Sequence, residues 1–142
     1  MRSLNDIKKK HIPKGTPIKN AIAAFIGGGL ISIIGQLILD YYVYLFDLTP
    51  KEAITPMVIT VIFITCIMTG LGIYDKIAKY LGAGIFIPIT GFANSMCSSA
   101  LESKSEGLIF GIGSNMFKLA GSVLTYGVVS AYIVSFVRYI FL

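Results

Sequence analysis

Formal charge is scarce in this sequence. Only 13% of its 142 residues are Asp, Glu, Lys or Arg, against 55% hydrophobic residues, where a soluble domain carries about 25% charged ones. The mean hydropathy is +0.79. That balance argues against a soluble domain and for a chain solvated by lipid, where apolar surface need not be hidden. Histidine occurs once, as His11, inside a basic stretch. One solvated imidazole supplies neither a metal site nor a Ser–His pair. Cysteine occurs twice, as Cys66 and Cys97. That is too few for a disulfide framework, and the spacing fits no metal. Both are expected as small buried thiols. There is no G-x-x-x-x-G-K-[ST], no H-E-x-x-H and no G-x-S-x-G. Glu102, Glu106, Asp75 and the lysines do not make a nucleophile–base–orienter set. The expectation is a protein that is not an enzyme and needs no cofactor or resident metal.

The few charges are unevenly placed. Residues 1–20 hold Arg2, Lys8, Lys9, Lys10, Lys14 and Lys19 against Asp6, a net of +5. The rest of the chain holds six groups of each sign and balances. Beside an apolar span, such a tail points to cytoplasmic retention near anionic headgroups rather than to nucleic acid.

Ala21–Leu39 is an uncharged run of nineteen residues, and about 20 residues of helix cross a ~30 Å hydrocarbon core. It is too long for a signal-peptide core and no A-x-A site follows. Asp40–Ile54 reads as a polar loop, in which "LTPKEA" signals a helix start with Thr49 as N-cap and Pro50 at the first position. Thr55–Tyr74 is a second span, followed by the short loop "DKIAK". Gly82–Leu101 is a third, interrupted by Gly82, Gly84, Pro88 and Gly91. Leu108–Leu142 would be about 52 Å long as one helix, too long for one crossing. Leu119–Val137 is its best span, and Leu108–Phe117 suits a half-helix or re-entrant piece. The expected fold is an all-α integral membrane protein. It has about four transmembrane helices (21–39, 55–74, 82–101, 119–137) plus a short broken or re-entrant segment. Residues 1–20 form a basic cytoplasmic tail and 21–142 one transmembrane domain. With both termini cytoplasmic, nine Lys and Arg lie inside and Lys51, Lys104 and Lys118 outside, as the positive-inside rule asks.

Polarity returns in "GFANSMCSSALESKSEG", Gly91 to Gly107. On a helix starting after Pro88, Gly91, Ser95, Ser98, Glu102 and Ser105 or Glu106 share one face. Gly111, Asn115, Lys118, Ser122 and Thr125 repeat that spacing. "GFANSM" and "GIGSNMF" also look alike. Charges inside a bilayer are costly and face a bundle interior, a water-filled cavity or each other. Two such stripes can line a polar path, and Gly/Pro-interrupted segments are where transport sites occur. Bland readings stand beside this one. Ser95 and Ser98, "GGG" at 27–29, and Gly107 with Gly111 suit close helix packing, and Gln36 suits interhelical bonding. Glu102 and Glu106 suit a wet loop. Lys118 suits an interfacial anchor if it snorkels.

"GFANSM", "ALESKSEG" and "NMFKLAG", with "GLGIYDKIAKYLGAG" before them, closely resemble the stage V sporulation protein A membrane subunits. The family is that shared by the AC and AE-b subunits, and the likeness runs from about Ile18 to Tyr139. "NSM", "ALE" and "NMFKLAG" lie nearer the AC branch. The resemblance implies a membrane subunit that moves dipicolinic acid, as calcium dipicolinate, across the spore inner membrane. Import falls in the forespore during sporulation and release at germination. It implies an oligomeric channel in membrane lipid, with a sister membrane subunit and a soluble AD-like subunit, and no nucleic acid. The motif positions become path candidates: Asn94, Ser95, Ser98, Glu102, Glu106, Asn115 and Lys118, with Ser122 on the second stripe. Asn, Ser and Lys118 offer donors to a dianion; Glu102 and Glu106 offer oxygens to calcium or pair with Lys104 or Lys118. A proton-coupled secondary transporter subunit and a non-conducting scaffold of the same complex are the alternatives.

Overall fold

The computed structural model describes residues 16–141. Most of the basic tail, His11 included, lies outside the described residues. Among those described there are helices and turns and no strand.

Helix α1 is Pro17–Phe46. Pro17 opens it, where a missing N–H costs nothing. The helix runs on past Leu39, so Asp40–Phe46 is not the loop expected there. Local bonds explain this. Gln36 Nε2 donates to Asp40 Oδ1 at 2.8 Å, one turn away. The Tyr42 hydroxyl meets the Thr60 hydroxyl at 2.8 Å, and Tyr42 stacks on Phe46 with centroids 5.8 Å apart. Gln36 therefore bonds within its own helix, not between helices. The chain turns at Asp47, where φ is 54°.

Helix α2 is Pro50–Gly70. Thr49 caps it as expected, in a full capping box. The Glu52 N–H donates to Thr49 Oγ1 at 3.4 Å, and the Thr49 N–H donates to Glu52 Oε2 at 2.9 Å. This satisfies two otherwise orphaned donors. The helix ends four residues before the expected Tyr74, at a turn through Gly72 with φ 67°.

"DKIAK" is helical rather than a loop. Helix α3 is Tyr74–Leu81; it buries Tyr74 and Ala78 and exposes Lys76, Lys79 and Tyr80. The one-sided pattern, apolar at 74, 77, 78 and 81, makes this turn of chain helical. Segment 82–101 is not one helix. Gly82, with φ 50°, separates α3 from helix α4, Ala83–Phe86. Pro88 then opens helix α5, Ile89–Glu102. Ser103 ends α5, so the first polar stripe is cut after Glu102. Lys104–Glu106 is a 3₁₀ turn, and Gly107 has φ 92°.

Leu108–Gly113 is a π-helical turn that continues into helix α6, Ser114–Phe141. The two form one 34-residue helical run, with no break near Phe117. No proline interrupts "SNMFKLAGSVL", and its Met, Phe, Lys, Leu and Ala carry the helix through. Among the described residues, three helices are long and apolar enough to cross a membrane: Pro17–Phe46, Pro50–Gly70 and Leu108–Phe141.

The packed part gathers α1 to α5. Tyr74, Ala78 and Ile85 form its core with Ile31, Met68, Ile77 and Leu81 around them. Burial pushes the Tyr74 phenol up from its usual pKa. It stays neutral and donates to the Ile85 carbonyl at 2.9 Å. The "GGG" stretch does pack closely. A Cβ on Gly84 would run into the Ala24 carbonyl, and Gly28 faces Gly84. Small residues let these backbones meet. By contrast, every residue from Gly121 to Phe141 is exposed.

Candidate functional site

Asn94 sits in the second turn of α5 and is 6% exposed. Its Oδ1 lies 2.8 Å from Thr69 Oγ1 of α2, and its Nδ2 points to Asp75 Oδ1 of α3 at 3.5 Å. The Thr69 hydroxyl also lies 2.8 Å from the Thr65 carbonyl. One hydroxyl has one proton, so Thr69 shares it between that carbonyl and Asn94. Asn94 thus ties three helices together. Nothing in the stripe pattern indicated Thr65, Thr69 or Asp75 as its partners. A signal exists: Thr65 and Thr69 are hydroxyl residues four apart in an otherwise oily run, hence on one face.

One turn further, Cys97 Sγ lies 3.6 Å from the Cys66 carbonyl. Both thiols are half-buried and free. Three residues back on α2 matches three forward on α5, so the helices run antiparallel. The same step brings Ser103 level with Thr60. That is eight residues from Glu52 of the capping box, about 12 Å along the helix.

Ser103 is where the two stripes meet. Asn115 Nδ2 donates to Ser103 Oγ at 2.7 Å and to the Gly111 carbonyl at 3.2 Å. Gly111 is buried, and a Cβ there would strike the Ser103 carbonyl. Gly107 O accepts from both Gly111 N (3.2 Å) and Ile112 N (3.0 Å), the mixed pattern of a π turn. Such turns are frequent at functional sites. Around this joint stand Glu102, Lys104 and Glu106, all exposed, with Lys118 exposed one helical turn beyond Asn115.

The remaining candidates are scattered. Ser95 is exposed and bonds back to the Gly91 carbonyl at 3.0 Å. Ser98 is half-buried. Ser122 is exposed and donates to the Leu119 carbonyl at 2.8 Å; Thr125 does the same to Gly121 at 2.7 Å. The two stripes therefore join at one end only. Of the eight candidates, the joint gathers Glu102, Glu106 and Asn115, with Lys118 one turn further along α6. No group of three His, Cys, Asp or Glu among the described residues is placed to hold a metal ion.

Long apolar helices with charged side chains set against them define an integral membrane protein. Residues 20–137 match the SpoVAC/SpoVAEB sporulation membrane protein family, and the chain belongs to it. It is 50% identical over 133 residues to Stage V sporulation protein AC of Bacillus subtilis (strain 168), an alignment covering 94% of this chain and 89% of that protein. No solved structure matches the chain.

Proposed function

We propose that this chain is a membrane subunit of a channel for dipicolinic acid, carried with calcium across the spore inner membrane. It works in import during sporulation and in release at germination. One observation carries the reading. Lys118 is exposed on a helix long and apolar enough to span a membrane, one turn from a residue bonded to Ser103. A charge at the middle of a membrane costs about 2.5–3.5 kcal/mol on insertion scales unless water or a partner meets it. Glu102, Lys104 and Glu106 crowd the same joint. Donors and carboxylates side by side suit a carboxylate dianion travelling with a hard cation. In this reading α4 and α5 together make the fourth, broken crossing, and both termini are cytoplasmic. Asn94 holds α5 in place from behind, while Ser95, Ser98 and Ser122 supply hydroxyls along the way. A sister membrane subunit and a soluble AD-like subunit complete the path, and the chain performs no catalysis.

The test is flux. The chain is reconstituted with its sister subunit in vesicles loaded with dipicolinate. Lys118→Met and Glu102→Gln are expected to cut efflux at least about tenfold, the loss of one charge-assisted contact, without lowering the melting temperature. Efflux equal to that of the unaltered chain sinks the channel reading. Efflux that tracks a proton gradient moves the assignment to a coupled transporter. Loss of assembly with unaltered polar stripes points to a scaffold.

A further inference from the structure

A half-open groove of about 210 Å³ runs between α1 and α2, floored by α3 to α5. Leu30, Ile31, Ile34, Val61, Ile64 and Met68 form its walls. Three hydroxyl residues also line it, Thr65, Tyr74 and Thr90, but they offer it no polar atom. Thr65 donates to the Val61 carbonyl at 2.8 Å. Tyr74 and Thr90 donate to the Ile85 carbonyl at 2.9 and 3.1 Å. No buried side-chain polar atom among the described residues lacks a partner. A polar solute would lose its water here and gain nothing, so the groove is no part of a polar path.

Its size decides further. A helix is 10–12 Å across with side chains; 210 Å³ holds hardly two residues of one. A stretch of unbranched hydrocarbon, much thinner than a helix, fits along it. In a bilayer an unfilled groove would forfeit the contacts of its lining. The α3 end of the groove also carries more positive than negative charge. Lys19 in the first turns of α1 and Lys76 and Lys79 on α3 are all exposed. Asp75 is the one acidic group described at that end, and it is turned toward Asn94.

We infer that this groove holds a stretch of one acyl chain of an anionic phospholipid, with the headgroup toward Lys19, Lys76 and Lys79. The site stands independently of what crosses the channel. The lipid wedges α1 against α2 and fills what the packed half leaves open.

Native mass spectrometry of the full chain, released from detergent after titration with phosphatidylglycerol or phosphatidylcholine, tests it. One phosphatidylglycerol per chain should be retained, about thirtyfold over phosphatidylcholine, as two lysines near a headgroup provide. Ile34→Trp plugs the groove and should lose that lipid at an unchanged melting temperature. Ile33→Trp lies outside the groove, with Ile33 60% exposed, and should keep it. Lys76→Gln with Lys79→Gln should keep a lipid but lose the preference. Should Ile34→Trp fail to fold, Leu30→Trp replaces it. Equal retention by the plugged variant, or no retained lipid at all, overturns the site. Equal binding of the two lipids overturns the anionic headgroup. A disulfide between two copies of Ile34→Cys means that a second chain fills the groove, which also overturns it.

Discussion

Helices α5 and α6 carry polar residues at the same spacing, yet the fold treats them differently. In α5, Asn94 is 6% exposed and bonded to Thr69 and Asp75 on two other helices. In α6, Lys118, Ser122 and Thr125 are all exposed, and so is every residue from Gly121 to Phe141. The difference teaches what a polar residue in an oily helix is for. Where neighbours supply partners, the residue locks helices together. Where none do, a serine or threonine bonds its own backbone, as Ser122 and Thr125 do. A lysine has no such retreat, because one bond to a backbone carbonyl leaves its ammonium charge without the water or counter-charge it needs. Lys118 is thus the residue whose environment the single chain leaves incomplete.

This contrast can be broken by substitution. The largest effect is expected at Gly84→Val, which drives a side chain into the Ala24 carbonyl. It should cost about 3 kcal/mol, as overpacking does, read as a lower melting temperature in detergent. Asn94→Leu comes next. It strips Asp75 and Thr69 of a partner, at about 2 kcal/mol for a buried polar group left unmet. A melting temperature unchanged by it would mean that the three-helix tie carries no stability. Asn115→Ala should cost about 1 kcal/mol, the net worth of a typical hydrogen bond. It should also speed amide exchange in Leu108–Gly113, where Asn115 braces the π turn. The smallest effect has the opposite sign. Nothing lies near Gly127, so Gly127→Ala should stabilise by about 0.5 kcal/mol through helix propensity alone. A clear loss there would show that α6 is packed against a partner under the conditions of the assay.

Much of this was legible beforehand. Thr49 and Pro50 announce α2 because caps are local: Thr49 and Glu52 lie within one turn. Pro88 announces α5 for the same reason. The charges of "DKIAK" suggest a loop, while its inward face, Tyr74, Ile77, Ala78 and Leu81, is visible only once Ile85 and Met68 are placed beside it. Asp40 likewise suggests a loop. Its partner Gln36 sits one turn back, and that bond lets a carboxylate stay on a helix. The polar stripes were visible as spacing, but spacing says nothing about which stripe acquires neighbours.

The sequence by itself determined that this is a helical membrane protein, that its interruptions fall at glycine and proline, and which family it joins. Those properties rest on apolar content, on backbone preference and on residue identity, all of which act within a few residues of chain. The tertiary structure alone decided that Asn94 is a tie and that Ser103 and Asn115 form the joint of the two stripes. It also decided that Lys118, about one turn from that joint, meets no partner among the described residues. These depend on the antiparallel register of α2 against α5, set between Thr69 and Asn94, which lie 25 residues apart in sequence. No local preference reaches that far.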